Sequence, residues 1–396
     1  MTQVATSRVR QEQVWSPADR IRRWVPPVVA YLAAHAVYWL AAGRLGYSYW
    51  GTESRVRWDS GLYLKIAQSG YVLEHCTPET GYAADGWCGT SGWFPLYPLV
   101  MRLLSVFGLS FEAAGVLIAE VCALGVLAMV WLLLGTRLTA RNAGVLAVAA
   151  AFPAGVYFHA VFPMSLVALL AAVMFVCLTR ERWLLAGLAG AAAAAAYPIG
   201  ILLAPAAVVY VAAARRGWRW LPRAAMVAGL TAAGTAFAFA VMWSSTGRWN
   251  AYLLTQAKYG NGLHDPLATY ADLLAGNPPV LVDAPRELVG LLAGAEHAEL
   301  LFATLLLILS GAAVWIAIAR RRLVPLDLSL LAYELLIFIV PLVVGQLVAQ
   351  FRSHTLMLPA LVLLRHLPRP VLYALVVLAA PLAYVMAQLF FSALLV

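Results

Sequence analysis

Apolar stretches of about twenty residues recur along the whole chain, and no other feature constrains the fold as tightly. A helix rises about 1.5 Å per residue, so each stretch matches the roughly 30 Å hydrocarbon core of a bilayer. Of the 396 residues 63% are hydrophobic and 11% charged, with a mean hydropathy of +0.82. Soluble domains carry about a quarter charged residues, so the balance excludes a soluble globular fold. The pattern predicts an all-α polytopic membrane protein, a single integral unit over 1–396. About 11 transmembrane helices are expected, at 25–43, 112–134, 142–160, 163–179, 183–197, 199–214, 224–244, 299–319, 326–349, 354–366 and 370–394. The stretch 183–214 is divided at "YPIG", where Pro198 and Gly200 break helical hydrogen bonding. The first run is long for a signal-peptide core and reads as an uncleaved span.

The net charge of +9 is a topology signal. With the N-terminal segment 1–24 in the cytoplasm, 18 of the 27 basic residues fall on that side, from Arg8 and Arg10 through Arg320–Arg322 to Arg365 and Arg369. This is the positive-inside bias, and it removes the need for a nucleic-acid partner. Two long loops, 44–111 and 245–298, then face outward, as does the C-terminus. The first contains "WFPLYPLVMRLLSVFG" (residues 93–108), too short and Pro-broken to span, and is expected to hold interfacial helices. "AAAAAA" (191–196) reads as close helix packing through small side chains. Cys76 and Cys88 share that first loop, and in an oxidising compartment a disulfide is expected, two free thiols being the alternative. Cys122 and Cys177 read as small packing residues.

The stretch "ESRVRWDSGLYLKIAQSGY" (53–71) crowds Glu53, Arg55, Arg57, Asp59 and Lys65 beside the first span. Asp59 admits two readings: a helix N-cap for the residues that follow, or a general base, with Arg57, Trp58 and Tyr63 close in sequence. The residue order of "RWDSGLYLKIAQSGY" and of "WFPLYPLVMRLL" (93–104) resembles the PIG-V (GPI mannosyltransferase 2) family and its actinobacterial relatives. Weaker echoes are "FPAGVYFHAVFPMSL" (152–166), "YPIG", and "GRWNAYLLTQAKYGNGLHDPL" (247–267). The resemblance implies a GT-C-type bundle whose first outer loop supplies the catalytic aspartate. Asp59 would take that role, and the donor would be a polyprenyl-phosphate sugar, most often mannose. Where the family usually shows a Tyr-Ser-Glu-like run, this chain has "VFPMS" and no acid, so acceptor choice is not carried over.

A departing lipid phosphate needs cations at the membrane surface. "QFRSHT" (350–355) offers Arg352 and His354, with snorkelling as the alternative for Arg352. Arg57 and Lys65 are competing phosphate ligands, followed by Lys258 and His264. Glu53, Trp58, Tyr63, Gln256 and Tyr259 are candidates for the acceptor side of the pocket. His159 reads as a packing histidine. Glu120 and Glu334, costly inside apolar runs, are left without a catalytic role. HExxH, DxD, P-loop and GxGxxG motifs are missing, so neither a metal nor a cofactor is predicted. The expected partners are the lipid-phosphate sugar, a lipid or glycolipid acceptor and membrane lipids. The expected place is the plasma membrane (the ER if the host is eukaryotic), with the site on the extracytoplasmic face. The competing reading is a transporter or flippase of a lipid-linked substrate, which would account for the broken span and for Glu120 and Glu334.

Overall fold

The structure is a computed structural model and describes residues 23–77, 86–214, 218–275, 286–345 and 350–395. Arg8, Arg10, Arg20, Arg22, Arg215, Arg216, Glu79, Asp85 and Asp283 lie outside them. Fifteen helices, α1 to α15, cover most of the described chain, and one two-stranded hairpin completes it. Six helices contain a segment long and apolar enough to cross a bilayer: α1 (Val25–Arg44), α4 (Phe111–Leu133), α9 (Leu221–Thr246), α12 (Arg286–Ala319, from Gly290), α13 (Pro325–Val344) and α15 (Arg369–Phe391). At most half of each apolar window is buried, and Leu32, Val121, Ile308 and Val377 stay exposed. In water such faces would aggregate; in lipid they are the solvent-facing side, and the chain is a membrane protein. Proline within the first two positions opens α1, α9, α13 and α15, where its missing N–H costs nothing.

Among the described residues six helices, against the 11 expected, are long and apolar enough to span on their own. The predicted span 142–160 becomes α5 (Ala140–Ala150), about 16 Å long at 1.5 Å per residue and near half a bilayer core. Pro153 and Pro163 flank the irregular stretch that follows, which holds only a 3₁₀ turn, Gly155–Phe158. The predicted span 354–366 is likewise a short helix, α14 (Gln350–Thr355), and a 3₁₀ helix, Leu358–His366. The break at "YPIG" is as expected: α7 (Trp183–Ala196), a 3₁₀ turn at Pro198–Leu202, then α8 (Leu203–Ala214). With α6 (Met164–Thr179), these are apolar helices shorter than a full span. The 299–319 span is longer than expected, because α12 begins at Arg286 and carries Glu296 and Glu299 with it.

Small residues set the packing in the middle of the bundle. α7 packs most closely on α9, where Gly187 and Gly190 face Leu230 and Thr231, and Gly234 faces the Ala191 backbone. A side chain at Gly234 would collide with main chain that cannot yield. α1 and α5 both pack on α15, which joins the first and last described helices.

The described part of the first long loop folds into a cap. It comprises a 3₁₀ turn (Glu53–Arg55), α2 (Ser60–Ser69), strands β1 (Leu73–His75) and β2 (Trp87–Gly89), and α3 (Leu96–Ser105). The strands are antiparallel with Glu74 opposite Cys88, and Cys76 and Cys88 form a disulfide. Arg102 on α3 donates to the Ile66 and Ala67 carbonyls at the end of α2, where a cation meets the negative helix pole. α3 leaves Leu99 and Leu103 exposed, with Val106 and Phe107 just beyond it, as an interfacial helix requires. The second loop contributes α10 (Ala251–Ala257) and α11 (Pro266–Leu274). α10 docks on the cap through Gln256, whose Nε2 donates to the Gly92 carbonyl at 3.0 Å.

Trp131 donates to the Arg23 carbonyl, Asn142 to that of Arg137, and Arg365 pairs with Asp327, joining ends that the Arg pattern assigns to the cytoplasm. α10 and α14 both contact the cap, through Gln256 and Arg352.

Candidate active site

Asp59 occupies the N-cap position of α2, yet its carboxylate makes no cap hydrogen bond. It pairs with the Arg352 guanidinium, 293 residues away on α14. The residue before it, Trp58, is held at φ +47°, a left-handed conformation costing a bulky residue about 1–2 kcal/mol. Ser60 accepts from the Arg57 amide at 3.1 Å and closes this turn. The turn therefore gives up an ordinary cap to aim Asp59 inward.

The pair is largely shielded from water: the side chains are 23% (Asp59) and 11% (Arg352) exposed. Arg352 lies over the Phe162 ring, 5.6 Å from its centroid, and its Nε has no partner among the described residues. Tyr63, Tyr157 and Tyr197 are near enough to interact electrostatically with the pair or with one another. Burial, helped by Tyr197 and Asp59, pushes the Tyr63 phenol up, and burial does the same to Tyr157. Burial alone would make Arg352 less basic, but Asp59 and the tyrosines outweigh it and hold the guanidinium charged. Lys258 sits where burial lowers its ammonium and Asp59 opposes that lowering. Gln350 and Ser353 on α14 are buried, with both Gln350 amide atoms and the Ser353 hydroxyl unpartnered among the described residues.

The other expected residues divide. Arg57 is engaged in holding the fold: Nε and a terminal nitrogen donate to the Phe391 carbonyl at the end of α15, at 3.3 and 3.2 Å, and the other terminal nitrogen donates to Glu53 O at 2.5 Å. Glu53 is exposed and reaches the site only through that carbonyl. Lys65 is exposed on α2, while Tyr63, on the same helix, is buried against Tyr97 and Phe162. His354 is buried, its Nδ1 at 3.0 and 3.2 Å from the Glu299 oxygens and its ring stacked on Phe338. It anchors α14 to α12 and α13 from the side away from solvent. Gln256 receives Asn261 on its oxygen at 2.6 Å, so both ends of its amide are engaged. Tyr259 is exposed beside Lys258, 4.8 Å from ammonium to ring centroid.

Sequence reasoning assigned nothing to Tyr157, Tyr197 or Glu299. Tyr157 and Tyr197 lie within the weaker echoes quoted above, and both sit where a predicted helix breaks. Both tyrosines interact electrostatically with the Arg352 guanidinium, so two of the breaks, at Gly155–Phe158 and Pro198–Leu202, lie near the Asp59–Arg352 pair. Glu334 is buried on α13, and Glu120 lies at the centre of a polar cluster beneath the Asp59 turn.

No family model matches the chain, and no curated protein matches it. The likeness to the PIG-V family therefore rests on the quoted segments.

Proposed function

We propose that the protein is an inverting membrane glycosyltransferase of GT-C type, with Asp59 as general base. It would move a hexose, mannose by the resemblance, from a polyprenyl-phosphate donor to a hydroxyl of a lipid or glycolipid, on the extracytoplasmic face. The observation that carries the reading is the Asp59–Arg352 pair: a carboxylate withheld from capping and opposed to a cation, both partly buried where the cap meets α14. The Arg352 Nε, unpartnered among the described residues, leaves the guanidinium a further hydrogen bond to give to an incoming substrate oxygen.

In this mechanism the arriving donor phosphate competes for Arg352, which turns from Asp59 onto the phosphate oxygens. Asp59, released from its counter-charge, accepts the proton of the acceptor hydroxyl as that oxygen attacks the anomeric carbon. The bond from the anomeric carbon to the phosphate oxygen breaks, and the lipid phosphate leaves with its charge on Arg352. A single displacement inverts the centre and needs one carboxylate. Lys258, which interacts electrostatically with Asp59, is the second cation assigned to the phosphate. His354 acts by fixing α14 through Glu299, leaving Arg352 free to turn.

The test is incubation of the purified protein in nanodiscs with a polyprenyl-phosphate mannose and a panel of phosphoinositide, lipoglycan and peptide acceptors. Transfer dependent on Asp59 supports the reading. Transbilayer movement of a lipid-linked sugar without any transfer would replace it with the flippase reading.

A further inference from the structure

Glu120 stands midway along α4, where an acid is expensive, and its surroundings are more crowded than a carboxylate needs. Its Oε1 pairs with Arg55. Three groups converge on Oε2: the Tyr31 hydroxyl at 2.6 Å, His159 Nδ1 at 3.0 Å and His35 Nε2 at 3.1 Å. A carboxylate oxygen has two lone pairs, so one of the three is surplus as a hydrogen bond. We propose that His35, Glu120 and His159 form a structural metal site, with zinc the favoured ion.

The donor atoms of the three residues lie within 4.8 Å of one another. Zinc bonds of about 2.0–2.1 Å give a tetrahedron with edges of about 3.3–3.4 Å, and the two edges to Oε2 are already close to that. Drawing the two imidazole nitrogens together from at most 4.8 Å completes the triangle, and the Tyr31 hydroxyl, which donates to Oε2 at 2.6 Å, supports the carboxylate from beside it. The supporting shell is that of a metal centre: Tyr49 engages His35 Nδ1 at 2.6 Å, Trp50 stacks on the same ring, and Arg55 fixes the free carboxylate oxygen. Arg55 also sets the selectivity. Its charge competes for the carboxylate, so two imidazole bonds must carry the affinity, which disfavours Mg²⁺ or Ca²⁺ and favours zinc.

The ion would join α1, α4 and the irregular stretch after α5. Arg55 lies four residues before Asp59, and its carbonyl accepts from the Val161 amide at 3.0 Å. One centre thus ties down both the turn bearing Asp59 and the segment bearing Phe162, under Arg352.

The test uses the full chain, purified through a tag free of histidine, exposed to micromolar zinc and dialysed against metal-free buffer. Elemental analysis should find about one zinc per chain, and a chelator should lower the thermal midpoint until zinc is restored. His35→Ala and His159→Ala should each lower retained zinc at least about fivefold, with His75→Ala, an exposed histidine, keeping it. Should the alanine variants misfold, the parent alone decides. Retention below about a tenth of an equivalent, with a thermal midpoint indifferent to zinc and chelator, would overturn the proposal and leave a hydrogen-bonded cluster. Neither readout requires sugar transfer, so the site and the proposed reaction stand or fall separately.

Discussion

Asp59→Asn and Arg352→Met, alone and together, separate catalysis from architecture. Removing one partner of a fully buried ion pair costs about 3–5 kcal/mol, because the other charge is stranded. Here the side chains are 23% and 11% exposed, and solvent screening brings the expectation down to about 1–3 kcal/mol. Asn keeps one oxygen for the guanidinium, so Asp59→Asn should fall at the low end of that range. Arg352→Met strands a carboxylate near three tyrosines and should fall at the high end. In the double variant neither charge is stranded, and much of the lost stability should return, read as the thermal midpoint in detergent. Turnover should behave otherwise. If Asp59 takes the acceptor proton, Asp59→Asn loses about two to four orders of magnitude, and the double variant does not regain it. The assay is initial-rate transfer from a polyprenyl-phosphate mannose, with donor binding measured separately. Turnover within a few-fold of the parent in Asp59→Asn, or its return alongside stability in the double variant, would refute the general-base role and make the pair a structural tie. Glu53→Gln, on an exposed side chain, is the mild control.

Three further outcomes are expected. Arg352→Lys should restore only part of the donor affinity lost in Arg352→Ala, because an ammonium cannot fork onto two phosphate oxygens; equal donor kinetics in parent and both variants would shift the phosphate to Lys258. Cys76 and Cys88 should resist thiol labelling in unreduced, unfolded protein while Cys122 and Cys177 react, and labelling of all four would contradict the disulfide. A reporter fused after Val396 should be active only in the extracytoplasmic compartment, and a cytoplasmic signal would invert the assignment of the Asp59 face.

The long spans were readable from the chain because the cost of a helix in lipid is nearly a sum over its own residues. Length, apolar content and an opening proline therefore delimit α1, α9, α13 and α15 with no knowledge of neighbours. The "YPIG" break and the pairing of Cys76 with Cys88 were legible for the same reason: each depends on residues close in sequence. At 142–160 that logic misled, since apolar content alone outvoted Pro153, and whether such a stretch continues as helix depends on what surrounds its freed backbone groups. Asp59 could be singled out as the candidate base by its charged company and by resemblance, with the N-cap as the alternative, but the sequence does not show where its carboxylate points. Only the fold turns the carboxylate away from its own helix and toward Arg352. The same holds for Glu120, met by Tyr31 and His35 from one direction and His159 from another. These encounters join residues 39 to 293 positions apart. No local period or spacing encodes them, because they are set by how α1, α4, α14 and the cap come together and by where the short helices stop.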